Sequence, residues 1–271
     1  MSEPRLVADV PLAHLRWGGA GRLVVLLHGI GGGREGWAST GAALAAAGFR
    51  ALAVDQPGYG LTPPIEPFDL AGMAAAVERL IGWTGAADAI VVGHSMGGMV
   101  AQELAARAPR RVRALVLAGT SPAFGASDGA WQRDFLASRF APLDAGRGMA
   151  GLAADLVPAM VARGADPARV AAAKALMAGV PEATYRAALA ALLPFDRRAA
   201  LPAIAVPTLV VTGDEDRTAA PEVARRMAAR IAGAELQILP ATGHLLMLEQ
   251  PGAFDAALLD FLRRLPPEES A

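Results

Sequence analysis

Solid apolar runs alternate along this chain with stretches whose apolar positions recur every three or four residues. The first clear run is 23–27, Leu-Val-Val-Leu-Leu, and it stops at His28-Gly29-Ile30-Gly31-Gly32-Gly33, a segment nearly bare of side chains. Similar runs follow at 49–54, 89–92, 112–117, 208–212 and 235–239. An apolar run without polar alternation is the pattern of a strand buried on both faces. Helical spacing fills the gaps at 40–47, 70–81, 96–106, 222–232 and 254–265. Residues 5–17 predict one or two short strands. Strands that alternate with helices in this way predict a mostly parallel, doubly wound sheet covered on both faces.

The rhythm breaks between 121 and 200. That stretch predicts helices near 130–139, 146–162, 167–178 and 182–192, punctuated by Pro and Gly, and no strand. The expected organisation is therefore a core of residues 1–120 and 201–271 with a helical cap of residues 121–200. Such an insert belongs over the carboxyl ends of the strands, where ligands bind in sheets of this kind. The segment Pro266 to Ala271 is expected to fray.

Composition narrows the classes. The 271 residues are 54% hydrophobic and 19% charged, with a formal net charge of -1, so a large core is affordable and disorder is not expected. That balance gives no footprint for nucleic acid or an anionic membrane. The absence of cysteine excludes disulfides, thiolate ligands and a cysteine nucleophile. No signal-peptide pattern opens the sequence and no segment reads as a membrane span, so the expected location is cytoplasmic. Neither a His-Glu-x-x-His pattern nor a carboxylate cluster with ligand spacing is present, and no metal or cofactor is expected. Nothing in the sequence bears on oligomeric state.

The chemistry sits in the loops after the strands. Gly93-His94-Ser95-Met96-Gly97 directly follows the run Ala89-Ile90-Val91-Val92 and opens a helical stretch. This is a G-x-S-x-G turn in its strand–turn–helix context, which exposes the serine as a nucleophile. A serine hydroxyl needs a base to take its proton. Of the four histidines (14, 28, 94 and 244), His244 lies in a glycine-containing loop just beyond the strand 235–239 and is the candidate base. The orienting acid is read as Asp216, in Thr212-Gly213-Asp214-Glu215-Asp216, with Asp214 and Glu215 as rivals by proximity. The amides of Met96 and Ile30 are the expected oxyanion donors. His28 reads as a structural residue tying down its own loop. Asp55, in Asp55-Gln56-Pro57-Gly58-Tyr59-Gly60, reads as an acceptor for its turn, with a second acid at the site as the rival role. Glu249 is read equally as a brace for the His244 loop and as a surface helix charge. The glycines after His28 lack the Lys-Ser/Thr and the spacing of a nucleotide loop.

These motifs resemble the α/β-hydrolase superfamily over essentially the whole chain: His28-Gly29, Asp55 to Gly60, Gly93 to Gly98, Gly213 to Asp216 and Gly243-His244. The order Ser, Asp, His along the chain is the order in that superfamily. Within it, the stretches Gly93 to Gln102 and His244 to Pro251 are most similar to 3-oxoadipate enol-lactonases and related esterases, homoserine-lactone hydrolases and perhydrolases. The resemblance implies a serine-dependent hydrolase of a small-molecule ester or lactone, with Ser95, Asp216 and His244 catalytic and Ile30 and Met96 forming the oxyanion hole. Perhydrolysis, thioester cleavage and a non-catalytic small-molecule binding protein are the alternatives. His94 and Leu245 depart from the Asn and Trp of carbon–carbon bond hydrolases, and Ser95 departs from the aspartate nucleophile of dehalogenases. Phe124, Trp131, Phe135 and Leu245 are the expected substrate contacts, beside Phe140, Met160, Met177 and Tyr185 as further pocket candidates. An anionic substrate would call on an arginine from Arg133, Arg139, Arg147, Arg163 and Arg186, among which the sequence does not choose.

Overall fold

A computed structural model describes residues 3–125 and 129–266. Along the chain run β1 (Arg5–Val7), β2 (His14–Trp17), β3 (Leu23–Leu27), α1 (Ala38–Ala46), β4 (Arg50–Val54), α2 (Leu70–Trp83), β5 (Ala89–His94), α3 (Met96–Arg107) and β6 (Val112–Ala118). Four helices follow: α4 (Ala130–Asp144), α5 (Gly148–Met160), α6 (Pro167–Ala178) and α7 (Glu182–Leu192). The pattern resumes with β7 (Thr208–Gly213), α8 (Pro221–Ala228), β8 (Glu235–Leu239), α9 (Leu246–Glu249) and α10 (Pro251–Arg263).

The strands form one sheet in the order β1-β2-β4-β3-β5-β6-β7-β8. β1 and β2 run antiparallel, and β4 through β8 pair in parallel. Successive side chains of a strand point to opposite faces, so each apolar run feeds two cores. Val25, Leu27 and Val91 pack with α2 and α3 on one face. Val24, Leu26, Ile90 and Val92 pack with Leu44 of α1 and Phe254, Leu258 and Phe261 of α10 on the other. From β3 the chain winds to β4 on one side and then to β5 on the other. That reversal opens a crevice beyond the carboxyl ends of β3 and β5, where ligands bind in open parallel sheets.

The stretch between β6 and β7 is closed at its base. Phe124 N–H donates to Phe195 O at 3.0 Å and Arg197 N–H to Pro122 O at 2.7 Å, around a single bridge between Ala123 and Asp196. Entry and exit are thus paired, and α4–α7 hang from one neck. Several helix ends differ from the sequence expectation, and one short helix was not expected. α8 ends at Ala228 because the next residues tighten into turns leading to Gly233, which has φ +70°. α10 begins three residues earlier, at Pro251, whose missing N–H costs nothing in a first turn. The four-residue α9 is too short to leave a periodic pattern. Of the expected frayed end, residues 267–271 lie outside the described residues.

Candidate active site

Ser95 occupies a conformation that a side chain rarely adopts, φ +52° and ψ -118°, between the end of β5 and the start of α3. Such strain persists only when the surroundings over-determine it. Here Ser95 N–H donates to Ala118 O at 2.9 Å, and Ser95 O accepts from Thr120 Oγ1 at 2.7 Å and from Gly98 N–H at 2.9 Å. The flanking glycines have a steric cause. A Cβ at Gly93 would lie 2.3 Å from Gly97 O, and one at Gly97 would lie 2.3 Å from Leu27 O. Strand, turn and helix touch through backbone alone.

His244 Nε2 lies 3.0 Å from Ser95 Oγ, and His244 Nδ1 lies 2.9 Å from Asp216 Oδ2. With a neutral ring and a carboxylate acceptor, Nδ1 carries the hydrogen and Nε2 accepts from the serine. Asp216 is 2% exposed, yet its other oxygen accepts from the Thr218 and Ala219 amides at 2.8 Å. Burial pushes its carboxyl up, but the electrostatic attraction of the His244 imidazole, its hydrogen bond and these two amides outweigh that and hold it below the ordinary value. Asp214 lies apart from the ring and braces the loop, accepting from Thr242 N–H at 3.1 Å. Glu215 accepts from Arg163 N–H at 3.2 Å.

The His244 backbone is gripped on every side. Its N–H donates to Met160 O at 2.7 Å, at the end of α5, and its carbonyl accepts from His94 Nε2 at 2.8 Å. The Glu249 carboxylate, 7% exposed, accepts from Gly243 N–H at 3.0 Å, Leu245 N–H at 2.9 Å and Ala162 N–H at 2.7 Å. Glu249 is therefore a buried brace joining the residues on both sides of His244 to the segment after α5. This geometry decides between the two roles open from sequence. Its partners are up to 87 positions away, beyond any local pattern. The bond from His94 had no sequence signal either.

On the opposite wall, His28 fixes the loop after β3. Gln56 N–H donates to His28 Nε2 at 3.2 Å, so Nδ1 carries the hydrogen and donates to Gly29 O at 2.8 Å. A trans peptide points its N–H opposite its carbonyl, so this grip also aims the Ile30 amide. Neither the Ile30 nor the Met96 amide donates to an acceptor within the described residues. Met96 begins α3, where amides are unpaired by helix geometry. A Cβ at Gly29 would lie 2.9 Å from His94 Nδ1 and 3.1 Å from Ser95 Cβ, which brings this loop against the serine. His28 and His94 are buried and neutral: desolvation lowers them to about 4 and about 3. Asp55 stays behind the loop, accepting from Leu61 N–H at 2.9 Å and pairing with Arg34.

A cavity beside Ser95 and His244 is walled by Val157 and Met160 of α5, Leu176 and Met177 of α6, and Leu245 and Leu248. Of the residues expected at the pocket, Leu245, Met160 and Met177 line this cavity. Phe124, Trp131 and Phe135 do not line this cavity, which corrects the expectation for them. Their rings pack on one another, mostly edge to face, at 5.0–5.4 Å between centroids, and Trp131 is 49% exposed. A helical pattern shows that such residues share a face but not what that face meets.

A parallel sheet with a helical insert, and a serine, histidine and aspartate joined at the strand ends, define a hydrolase architecture. The chain belongs to the alpha/beta hydrolase family, whose sequence profile matches residues 24–257, and it is a hydrolase by that kinship. It is 35% identical over 255 residues to a protein of Variovorax paradoxus provisionally named carbamate hydrolase RutD, covering 90% of this chain and 93% of that one. It is 32% identical over 255 residues to the pimeloyl-acyl-carrier-protein methyl ester esterase of Nitrosospira multiformis, covering 90% and 96%. Among solved structures it is similar to the enol-lactonase of Burkholderia xenovorans LB400, with TM-score 0.82, 27% identity and coverage of 96% and 100%. Among the described residues no helix is long and apolar enough to cross a membrane.

Proposed function

We propose that this chain hydrolyses a small-molecule carboxylic ester or lactone through an acyl-enzyme on Ser95. The reading rests on one observation: the buried relay in which Ser95 Oγ, His244 and Asp216 are linked at 3.0 and 2.9 Å. His244 Nε2 takes the Ser95 proton as Oγ attacks the substrate carbonyl carbon. The carbonyl oxygen becomes an oxyanion that accepts from the Ile30 and Met96 amides. Asp216 stabilises the imidazolium. The tetrahedral species collapses, the carbon–oxygen bond to the leaving group breaks, and His244 protonates the departing alkoxide. Water, deprotonated by His244, then attacks the acyl-enzyme; the acid leaves and Ser95 regains its proton. In this reading α4–α7 act as a cap that walls the acyl site. The names of the relatives, a methyl ester esterase and a carbamate hydrolase, fit acyl transfer to water.

The test is steady-state turnover of p-nitrophenyl esters from acetate to octanoate, beside enol-lactones and homoserine lactones, with Ser95→Ala as control. Ser95-dependent turnover of any of them is expected. Turnover that survives Ser95→Ala removes the assigned nucleophile, and an inert wild-type enzyme with no fluorophosphonate labelling of Ser95 favours a binding protein.

A further inference from the structure

The acyl site carries no positive charge, and its walls leave little room. Val157, Met160, Leu176, Met177 and Leu248 present aliphatic or thioether surface, and among the described residues no arginine or lysine lines the cavity. Of the five arginines raised by the sequence, Arg133 is exposed and does not line the cavity, and the other four are placed elsewhere. Arg147 donates to Asp155 at 2.6 Å, and Arg186 donates to Asp144 at 2.6 Å and Glu182 at 2.9 Å. The Arg139 guanidinium lies 3.7 Å over the Phe135 ring, and Arg163 is exposed beside Glu215. Arg34, next to the glycine loop, is shared between Asp55 and Glu35. Glu35 itself lies at the loop: a Cβ at Gly33 would sit 3.2 Å from its Oε2.

The volume argues in the same direction. The cavity measures about 50 Å³ to the centre of a water-sized sphere. Pockets for drug-sized ligands run to roughly 300–1,000 Å³, so the space here is small and suits a short acyl group. Met177 sets one wall, since a Cβ at Gly31 would lie 3.2 Å from its Cγ.

We infer that this site, if Ser95 is acylated as proposed above, takes a short uncharged acyl group and rejects one that ends in a carboxylate. Burying a carboxylate against these aliphatic walls would leave it without a cationic partner. The substrate class is a neutral short-chain ester, and a carboxylate-bearing enol-lactone is excluded.

The test compares p-nitrophenyl pentanoate with p-nitrophenyl hemiglutarate. Both share a trimethylene chain and leaving group, and one ends in methyl while the other ends in carboxylate. After subtraction of the enzyme-free rate, kcat/KM is expected to favour pentanoate by about 100-fold or more. Along the neutral series it is expected to fall beyond hexanoate, and Met177→Ala is expected to move the optimum to longer chains. Equal turnover of the two esters, or an optimum at octanoate in the wild-type enzyme, with both lost in Ser95→Ala, would overturn the acyl-group assignment and leave the serine mechanism standing. Turnover of both that persists in Ser95→Ala would instead overturn the mechanism on which the assignment rests.

Discussion

A Cβ added at Gly93, Gly97, Gly213 or Gly243 would lie 2.0–2.5 Å from a backbone oxygen, whereas one added at Gly146, Gly148 or Gly164 meets nothing within 4 Å. The first group sits at and just beyond the carboxyl ends of the strands, and the second joins the helices between β6 and β7. At those strand ends, backbone packs directly on backbone, so no rotamer change can relax a misplaced atom. In the insert, helices meet through side chains, and the wall facing Ser95 includes the adaptable thioethers of Met160 and Met177. In the proposed mechanism the reacting groups thus belong to a rigid part of the molecule, and the shape of the acyl site belongs to a part that tolerates change.

The sharpest way to break that division is at the relay itself. Ser95→Ala is expected to lower kcat by on the order of 10⁴- to 10⁶-fold with the fold intact, checked by kinetics beside circular dichroism. Asp216→Asn is expected to cost about 10⁴-fold, because the amide favours the wrong His244 tautomer.

Acid acts on the loop side next. His28 and His94 are lowered from 6.5 to about 4 and about 3 by burial, so the unfolded chain binds protons that the folded chain refuses. Stability is then complete above about pH 6.5 and falls as pH drops toward 4, by roughly 2 kcal/mol per histidine at pH 5. Urea midpoints between pH 7.5 and 5 measure this. A flat profile would mean that the two rings are not buried as described.

Paired glycine substitutions sharpen the comparison directly. Gly97→Ala is expected to destabilise by about 1–3 kcal/mol or to prevent folding, while Gly164→Ala stays within about 0.5 kcal/mol. Equal shifts in their thermal midpoints would erase the distinction between the two regions. Glu249→Gln is expected to cost about 1–2 kcal/mol of stability, since its amide group turns a donor toward one of three backbone amides. Because those amides flank His244, kcat is expected to fall several-fold with KM little changed. A drop in stability alone would assign Glu249 to the fold and not to the placement of the ring.

The strands and the strand-end residues were legible because their physics is local. An unbroken apolar run such as Leu23–Leu27 reads as a buried strand. A nucleophile turn needs small residues where Gly93 and Gly97 stand, since only there do strand and helix touch. The four helices of the insert also read correctly from their spacing. What they face did not. Phe124, Trp131 and Phe135 pack on one another, and Leu176 supplies wall, because helical period fixes a shared face and leaves its partner open. Glu249 stayed ambiguous for the same reason: three amides on two separate segments make it a brace.

The central claim is that Ser95 carries the acyl group. The measurement is rapid quenching of the enzyme with p-nitrophenyl butyrate in acid, followed by peptide mass spectrometry. A butyryl adduct is expected on the peptide containing Ser95, absent in Ser95→Ala and in His244→Ala. Steady turnover with no adduct, or an adduct on any other residue, would contradict it.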